Sequence, residues 1–142
     1  PCALLLVDLD HFKSINDDIG HAGGDRSLIH FVEIIQDCIR TSDFLARFGG
    51  DEFCILMPET TADEASVVAE RIVWALRNRP LFYADRKVSL SCSIGISTFE
   101  AHENLDDVVI RADKALYAVK HKGRDGFAVA HSAPAGRLQI AV

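Results

Sequence analysis

Two adjacent carboxylates follow a pair of glycines near the middle of the chain. Residues 47–53 read Arg-Phe-Gly-Gly-Asp-Glu-Phe, between two apolar runs. Two glycines between strand-like runs are typical of a two-residue hairpin turn with positive φ angles. We therefore predict a hairpin whose return strand begins with Asp51 and Glu52. A desolvated carboxylate is costly unless it is paired or binds a cation, so these acids indicate a polar site on a rigid backbone.

A third carboxylate, Asp8, ends the apolar run Ala3–Val7, which is typical of a buried strand. If this strand neighbours the hairpin, the three acids converge at one sheet edge. Their hard oxygens suit Mg²⁺ or Mn²⁺, which also bind substrate phosphates, and two such ions about 4 Å apart can support an in-line phosphoryl displacement. The alternative is that Asp8 and Asp10 are turn acids and that Asp51 and Glu52 form a solvated loop tip. The acids alone leave both interpretations open.

Several basic residues are candidate phosphate ligands. Lys13 follows the first predicted strand. The other candidates, Lys120, Lys122 and Arg124, lie at the end of a predicted helix, where Lys120 and Arg124 are four residues apart. Cations at a helix C-terminus also stabilise the helix dipole, and the spacing alone favours that simpler interpretation.

Two polar residues between these groups could bind a purine. The Asn16 amide offers a donor and an acceptor, and the Asp25 carboxylate could accept from N1–H and the exocyclic amine of guanine. Taken singly, each is more often a turn or cap residue. His21, before a glycine-rich turn, is likewise more often structural.

Three helices are expected to position these groups: one from about Asp25 to Arg40, one from a capping box at residues 61–64 to before Pro80, and one from Asn104 to Gly123. Residues 88–98 alternate as one strand, and a shorter strand is possible near residues 81–83. The order β, α, β-hairpin, α, β, α, β predicts an α+β fold. Its central sheet would have about five mostly antiparallel strands, flanked by helices.

Composition limits the function classes. The chain has 142 residues and a formal net charge of −6, which suits one domain and argues against a nucleic-acid polymer as partner. It has neither a transmembrane-length apolar run nor a signal-peptide pattern, and its four cysteines lack metal-ligand spacing. We expect reduced thiols, a cytoplasmic location and no membrane contact within this segment.

The pentapeptide Gly49-Gly50-Asp51-Glu52-Phe53 resembles the signature of the GGDEF domains, the bacterial diguanylate cyclases. The resemblance covers roughly residues 3–130 in family order and spacing. Its other matching segments are Asp8–Lys13, Ile15–Asp17, Gly20-His21, Gly24-Asp25, Ser93–Ile96, Ala112–Tyr117, Lys120 and Gly123-Arg124. It implies a cyclase domain over residues 1–130, with a fold similar to the nucleotidyl cyclase and polymerase palm (ferredoxin-like), and a tail or linker over residues 131–142.

The family resemblance implies a metal centre. Asp8, the main-chain carbonyl of Leu9, and Asp51 would hold Mg²⁺ (or Mn²⁺), with two ions in each active site. Asp51 or Glu52 would accept the proton of the ribose 3′-hydroxyl, and the sequence leaves both open.

It also implies a nucleotide site. Asn16 and Asp25 would bind guanine, with His21 nearby, and Lys13 would contact phosphates. Gly49 and Gly50 would let the backbone approach the nucleotide, which a Cβ would obstruct. The remaining phosphate ligands would be Lys120 and Arg124.

Catalysis in this family implies a homodimer. Each subunit would hold one GTP, and each 3′-oxygen would attack the partner's α-phosphate. The products would be cyclic dimeric GMP and pyrophosphate.

A second group of residues resembles the family's product-binding inhibitory site. Arg40 and Asp43 form an R-x-x-D motif five residues before Gly49. Arginine can bind phosphate or a guanine edge through two hydrogen bonds. Arg71 matches the place of a secondary inhibitory arginine. The alternative is a helix-terminal arginine beside a turn aspartate.

Two departures from the family pattern affect these expectations. The chain begins after the place of the usual D-x-L-T turn, so we expect it to be part of a longer polypeptide whose upstream segment bears on dimerisation. Asp125 stands where Asn often follows Gly-Arg.

The leading function is a diguanylate cyclase with product inhibition. The alternative is a non-catalytic module that binds GTP or cyclic dimeric GMP, in a parent protein that could carry a phosphodiesterase domain or a membrane anchor.

Overall fold

The main sheet has its most apolar strand in its interior. The computed structural model describes residues 1–132 and 138–141. Its strands are β1 (Cys2–Leu9), β2 (Phe44–Gly49), β3 (Glu52–Pro58), β4 (Leu81–Tyr83), β5 (Arg86–Val88), β6 (Cys92–Thr98), β7 (Gly126–Ser132) and β8 (Leu138–Ala141). Its helices are α1 (Phe12–Cys38), α2 (Ala62–Asn78) and α3 (Leu105–His121).

Six strands form the main sheet in the order β2-β3-β1-β6-β7-β8, and β4 and β5 form a separate hairpin. Only the β6–β7 pair is parallel; the other described pairs are antiparallel. The predicted α+β fold with a mostly antiparallel sheet is therefore confirmed. The sheet has one strand more than the five expected, because β8 pairs with β7 inside the stretch predicted as a tail.

The core explains why β1 is apolar throughout. Ala3, Leu5 and Val7 pack with α1 and α2 on one face of the sheet, and Leu4 and Leu6 pack with α3 on the other. A strand that is covered on both faces has no solvent side to keep polar.

The face of β6 that carries serine and glycine is buried beneath α3. Ser93 and Ser97 are fully buried, and the Ser97 hydroxyl donates to the Val108 carbonyl at 2.7 Å. A Cβ on Gly95 would collide with the α3 backbone at Ala112 and Leu116. Small residues thus let α3 approach closely. The single strand predicted over residues 88–98 is wrong at its start, because β5 ends at Val88 and β6 begins at Cys92.

Helix α1 begins earlier than its sequence pattern indicates. The predicted start near Asp25 is wrong, since the helical segment begins at Phe12 and is interrupted at Gly20 (φ 77°, ψ 172°). The residues between Phe12 and Gly20 are exposed or half-buried. This first part of the helix therefore lacks the buried apolar face that a search for helical periodicity detects. The predicted capping box at Thr61 and the predicted N-cap at Asn104 are confirmed.

The hairpin turn lies one residue later than predicted. Gly49 still belongs to β2 and pairs with Glu52, so the turn residues are Gly50 and Asp51. Neither Gly49 nor Gly50 has a positive φ, and the expectation that the turn requires glycine for that reason is wrong. A register shift between Arg47 and Gly49 supplies the irregularity instead.

In the part of the chain that the structure describes, we find no helix both long and apolar enough to cross a membrane.

Candidate active site

Three carboxylates lie together at the same end of the neighbouring strands β1 and β3. Asp8 is paired with Glu52 of β3 on one side and with Ser93 of β6 on the other. Asp51 occupies the adjoining turn, where its carbonyl accepts the Leu9 N–H at 3.2 Å. The strand adjacency on which the convergence depended is therefore present.

The Asp8 carboxyl lies in an unfavourable environment for a negative charge. Its residue is only 6% exposed. Burial and, after it, the neighbouring Asp51 carboxyl raise the pKa of Asp8 to about 7, against an opposing effect of Lys120. Lys120 forms an ion pair with Oδ2, whereas Oδ1 is buried without a hydrogen-bond partner among the described residues.

This arrangement fits a divalent cation. The unpartnered Oδ1 of Asp8 and the adjacent Asp51 carboxyl supply hard oxygen ligands with excess negative charge. Within residues 1–132 and 138–141, no group of three or more His, Cys, Asp or Glu side chains is arranged to hold a metal. Mg²⁺ commonly needs fewer, because it retains waters and takes substrate phosphates as ligands.

The predicted phosphate ligands differ in how closely the structure ties them to these acids. Lys120, in the last turn of α3, points to Asp8. Arg124 follows in the turn between α3 and β7, and is half-buried. Lys13 is exposed at the start of α1. The simpler role of Lys120 as a helix-dipole partner does not account for its ion pair with a strand-end carboxylate.

The predicted guanine-binding residues lie on the two sides of the interruption in α1. The side-chain oxygen of Asn16 lies where a Cβ on Gly24 would stand. Asp25 and His21 are exposed. The kink at Gly20 thus packs the Asn16 amide against the backbone directly before Asp25.

Two residues that sequence reasoning did not assign support the site. Asp10, treated above only as a turn acid, is 4% exposed and accepts hydrogen bonds from the Ser91 and Ser93 hydroxyls, each at 2.7 Å. The Arg47 guanidinium donates to the Gly50 carbonyl at 3.0 Å through Nε and so braces the hairpin turn. The position of Arg47, two residues before the glycines, could have identified it from the sequence.

The R-x-x-D residues line a separate cavity of about 280 Å³. The buried Asp43 carboxylate accepts from the Arg40 main-chain N–H at 2.8 Å, and the Arg40 guanidinium donates to the Thr60 hydroxyl. Arg71 reaches the same cavity from α2 and donates to the Cys38 carbonyl at 3.1 Å. The three residues predicted to bind product therefore line one cavity.

Comparison with known proteins agrees with this geometry. A family model described as "Diguanylate cyclase, GGDEF domain" matches residues 1–126. The chain is 42% identical over 127 residues to diguanylate cyclase DgcP of Pseudomonas aeruginosa, covering 89% of the chain and 19% of that protein. It is 41% identical over 124 residues to diguanylate cyclase A of Treponema denticola, covering 87% of the chain and 33% of that protein. The chain thus spans a third or less of these two relatives.

Solved structures give the same result. The GGDEF domain of DgcB from Caulobacter crescentus, solved in complex with c-di-GMP, superposes with a TM-score of 0.85 at 31% identity, over 90% of this chain and 75% of that one. Diguanylate cyclase SiaD of P. aeruginosa, solved with its activator SiaC, gives a TM-score of 0.86 at 33% identity, over 90% of this chain and 49% of that one.

Proposed function

The chain belongs to the GGDEF-domain family of diguanylate cyclases, and from this premise we propose that it condenses two GTP molecules into cyclic dimeric GMP with release of two pyrophosphates. The observation that carries the proposal is the group of charged residues at the end of β1. A buried carboxylate with an unpartnered oxygen, a second carboxylate beside it and a lysine paired to it lie together at the end of β1. Buried charges in this arrangement are costly to the fold and suited to a metal-bound triphosphate.

Asp8, the Leu9 carbonyl and Asp51 would hold the metal. Metal dependence is typical of the family, and we propose Mg²⁺ or Mn²⁺, two in each active site. Such ions supply charge neutralisation on the triphosphate. Lys120, Lys13 and Arg124 contribute further positive charge towards the phosphates.

The reaction is a nucleophilic substitution at phosphorus. Asp51 or Glu52 accepts the proton of the ribose 3′-hydroxyl of one GTP, and the 3′-oxygen forms a bond to the α-phosphorus of the other. The bond from that phosphorus to the pyrophosphate oxygen breaks, and pyrophosphate leaves. Asp51 is the half-buried acid beside Asp8, and Glu52 is more exposed; both remain candidates for the base.

Nucleotide selection would come from α1. The Asn16 amide and the Asp25 carboxylate provide the donor and acceptors that a guanine edge requires, and His21 lies on the same segment. Gly49 and Gly50 border open space, since a Cβ on either would meet no protein atom within 4 Å. This space would admit the nucleotide close to the backbone.

Catalysis would need a homodimer, because each site binds one GTP and the reaction joins two. GTP as substrate implies that the domain works in the cytoplasm, whatever anchors the parent protein.

Product inhibition would act through the cavity lined by Arg40, Asp43 and Arg71. The guanidinium groups of the two arginines can bind phosphate or guanine. The alternative is a non-catalytic module that binds GTP or cyclic dimeric GMP. The same cavity is compatible with it, because binding there would not require turnover.

The deciding experiment uses the full-length protein or an artificially dimerised form. It is incubated with GTP and Mg²⁺, and the products are separated chromatographically. We expect cyclic dimeric GMP and two equivalents of pyrophosphate, and no product from a folded Asp51→Asn variant. A folded dimer that binds GTP but yields no cyclic dinucleotide would support the non-catalytic alternative and reject the cyclase.

A further inference from the structure

The turn between α3 and β7 is held by residues from two distant parts of the chain. We propose that Asp10 and the Arg77–Asp125 ion pair are positioning residues, which fix this turn and thereby aim Arg124 at the triphosphate. The inference rests on the proposed function, since it assigns how one phosphate ligand is placed.

The backbone of the turn is strained and needs external support. Arg124 (φ 66°) and Asp125 (φ 51°) are consecutive non-glycine residues in the left-handed region, which costs free energy unless the surroundings enforce it. Gly123, with φ 112°, precedes them. The hydrogen bonds of this turn to the adjoining helix are those of the Arg124 N–H, which donates to the Val119 carbonyl at 3.0 Å, and of the Lys122 N–H, which donates to the Ala118 and Val119 carbonyls at 3.1 Å each.

Asp10 supplies the first external restraint. Its Oδ2 accepts the Asp125 N–H at 3.0 Å. The same carboxylate is held by the hydroxyls of Ser91 and Ser93 at 2.7 Å each. Because Asp10 is buried and accepts from three donors, it cannot swing away, so the turn is tied to the end of β1 two residues from Asp8.

Arg77 supplies the second restraint from the last turn of α2. Its Nε lies 3.0 Å from Oδ2 of Asp125, and its Nη2 lies 3.5 Å from the Asp125 carbonyl. The turn is thus held at the Asp125 N–H by Asp10, and at the Asp125 side chain and carbonyl by Arg77. Asp125 replaces the Asn common in this family, and its negative charge makes this ion pair possible.

Arg124 depends on these restraints for its direction. No hydrogen bond or ion pair of its side chain is found among the described residues, so its guanidinium is aimed by the backbone of the turn. Loosening the turn should therefore weaken phosphate contact without removing any group that would touch GTP.

The test measures binding of 3′-deoxy-GTP, which lacks the attacking hydroxyl, by titration calorimetry with Mg²⁺ present. Arg77→Ala and Asp125→Ala are each expected to weaken binding about three- to tenfold, and Asp10→Asn by a similar factor or more. The matched control is Arg79→Ala, which removes an equivalent arginine of the same region, paired with Asp37 at 3.0 Å but not connected to the turn. Its affinity should be unchanged.

The Asp125→Ala variant separates positioning from simple electrostatics. Removing a negative charge near the triphosphate should strengthen binding if charge alone matters, whereas loss of positioning weakens it. In an Arg124→Ala background, Arg77→Ala should cause no further loss, because there is no guanidinium left to aim. Thermal unfolding checks that each variant is folded.

The outcomes distinguish the two proposals. A wild-type protein that does not bind 3′-deoxy-GTP overturns the proposed function, and this inference with it. Wild-type binding with unchanged affinity in folded Arg77→Ala and Asp125→Ala overturns this inference alone. Tighter binding by Asp125→Ala, or losses that add fully to that of Arg124→Ala, would also overturn it.

Discussion

At the scale of single residues, Asp8 shows how a site can work against the fold that carries it. Its carboxyl is almost fully buried, has Asp51 beside it, and leaves one oxygen without a partner. The ion pair with Lys120 offsets part of this cost. A fold optimised for stability alone would place an apolar or neutral side chain at this position.

The first prediction concerns the pH dependence of stability in metal-free protein. The pKa of Asp8 is raised to about 7 from its ordinary value of 3.8. Between these values the folded state binds more protons than the unfolded state, so this residue makes stability fall as pH rises. Asp8→Asn should therefore raise the free energy of unfolding at pH 8, by about 2–4 kcal/mol. The gain should shrink to a small remainder at pH 4, where the wild-type carboxyl is protonated in the folded state and about half protonated in the unfolded state.

Denaturant titrations in EDTA between pH 4 and pH 8 measure this difference. Asp85→Asn is a suitable control, because Asp85 is an exposed acid on the β4–β5 hairpin with a left-handed φ that Asn accepts. A gain for Asp8→Asn that is the same at both ends of the pH range would contradict the burial argument.

The same scale shows what the sequence could and could not predict about the site. Asp8, Asp51 and Lys120 were predicted from motifs, and the structure brings them together. The role of Asp10 was not predictable from its neighbours, because its partners Ser91, Ser93 and Asp125 lie 81, 83 and 115 residues away. Hydrogen bonds across such separations exist only after the sheet has formed.

At the scale of elements, α1 shows where periodicity fails. Its second part, after Gly24, carries buried residues at helical spacing and was predicted well. Its first part carries several polar residues, and its Phe12 and Ile15 are only partly buried against the core. A short helix with so narrow an apolar face produces no clear periodic signal. The polar residues that we predict to bind guanine thus obscured the helix that carries them.

The second prediction follows from the way α1 packs on itself. A methyl group at residue 24 would occupy the place of the Asn16 side-chain oxygen, so Gly24→Ala must turn the Asn16 amide away. Because a flexible side chain can move cheaply, we expect a stability loss of about 1 kcal/mol or less. Binding of GTP should weaken about tenfold, the size of one lost hydrogen-bonded contact to a base.

Gly23→Ala is the matched comparison for this prediction. Its added methyl group would displace the Ile19 side chain, to which its three nearest atoms all belong. Calorimetry with GTP and with ATP should show that Gly24→Ala loses preference for guanine, whereas Gly23→Ala retains it. Equal preference in both variants would show that Asn16 does not bind the base.

At the scale of the whole molecule, the sheet order connects the two candidate ligand sites. The order β2-β3-β1 places the hairpin beside β1, which carries Asp8 near its end. Just before β2, Arg40 and Asp43 line the cavity that we propose binds product, while the end of β2 at Gly49 adjoins the acids. Helix α2 likewise contributes Arg71 to that cavity and Arg77 to the turn between α3 and β7. The overall α+β arrangement could be predicted from element order, but this double connection could not, since it depends on which strands pair.

The last prediction tests the product cavity independently of turnover. Arg40 is a largely exposed arginine whose side chain is held against Asp43 and Thr60, so its guanidinium is ready to bind an anionic ligand at little entropic cost. Arg40→Ala should weaken binding of cyclic dimeric GMP at least tenfold, as measured by calorimetry, and relieve any inhibition by product.

Two further variants make the result interpretable. Arg26→Ala removes an exposed arginine of α1 that does not line the cavity, and its product affinity should equal that of the wild type. Arg71→Ala should weaken binding as well, because Arg71 lines the same cavity from α2. If product binds a folded Arg40→Ala variant as tightly as the wild type, the cavity is not the inhibitory site, and the R-x-x-D residues serve only to join the end of α1 to the loop at Thr60.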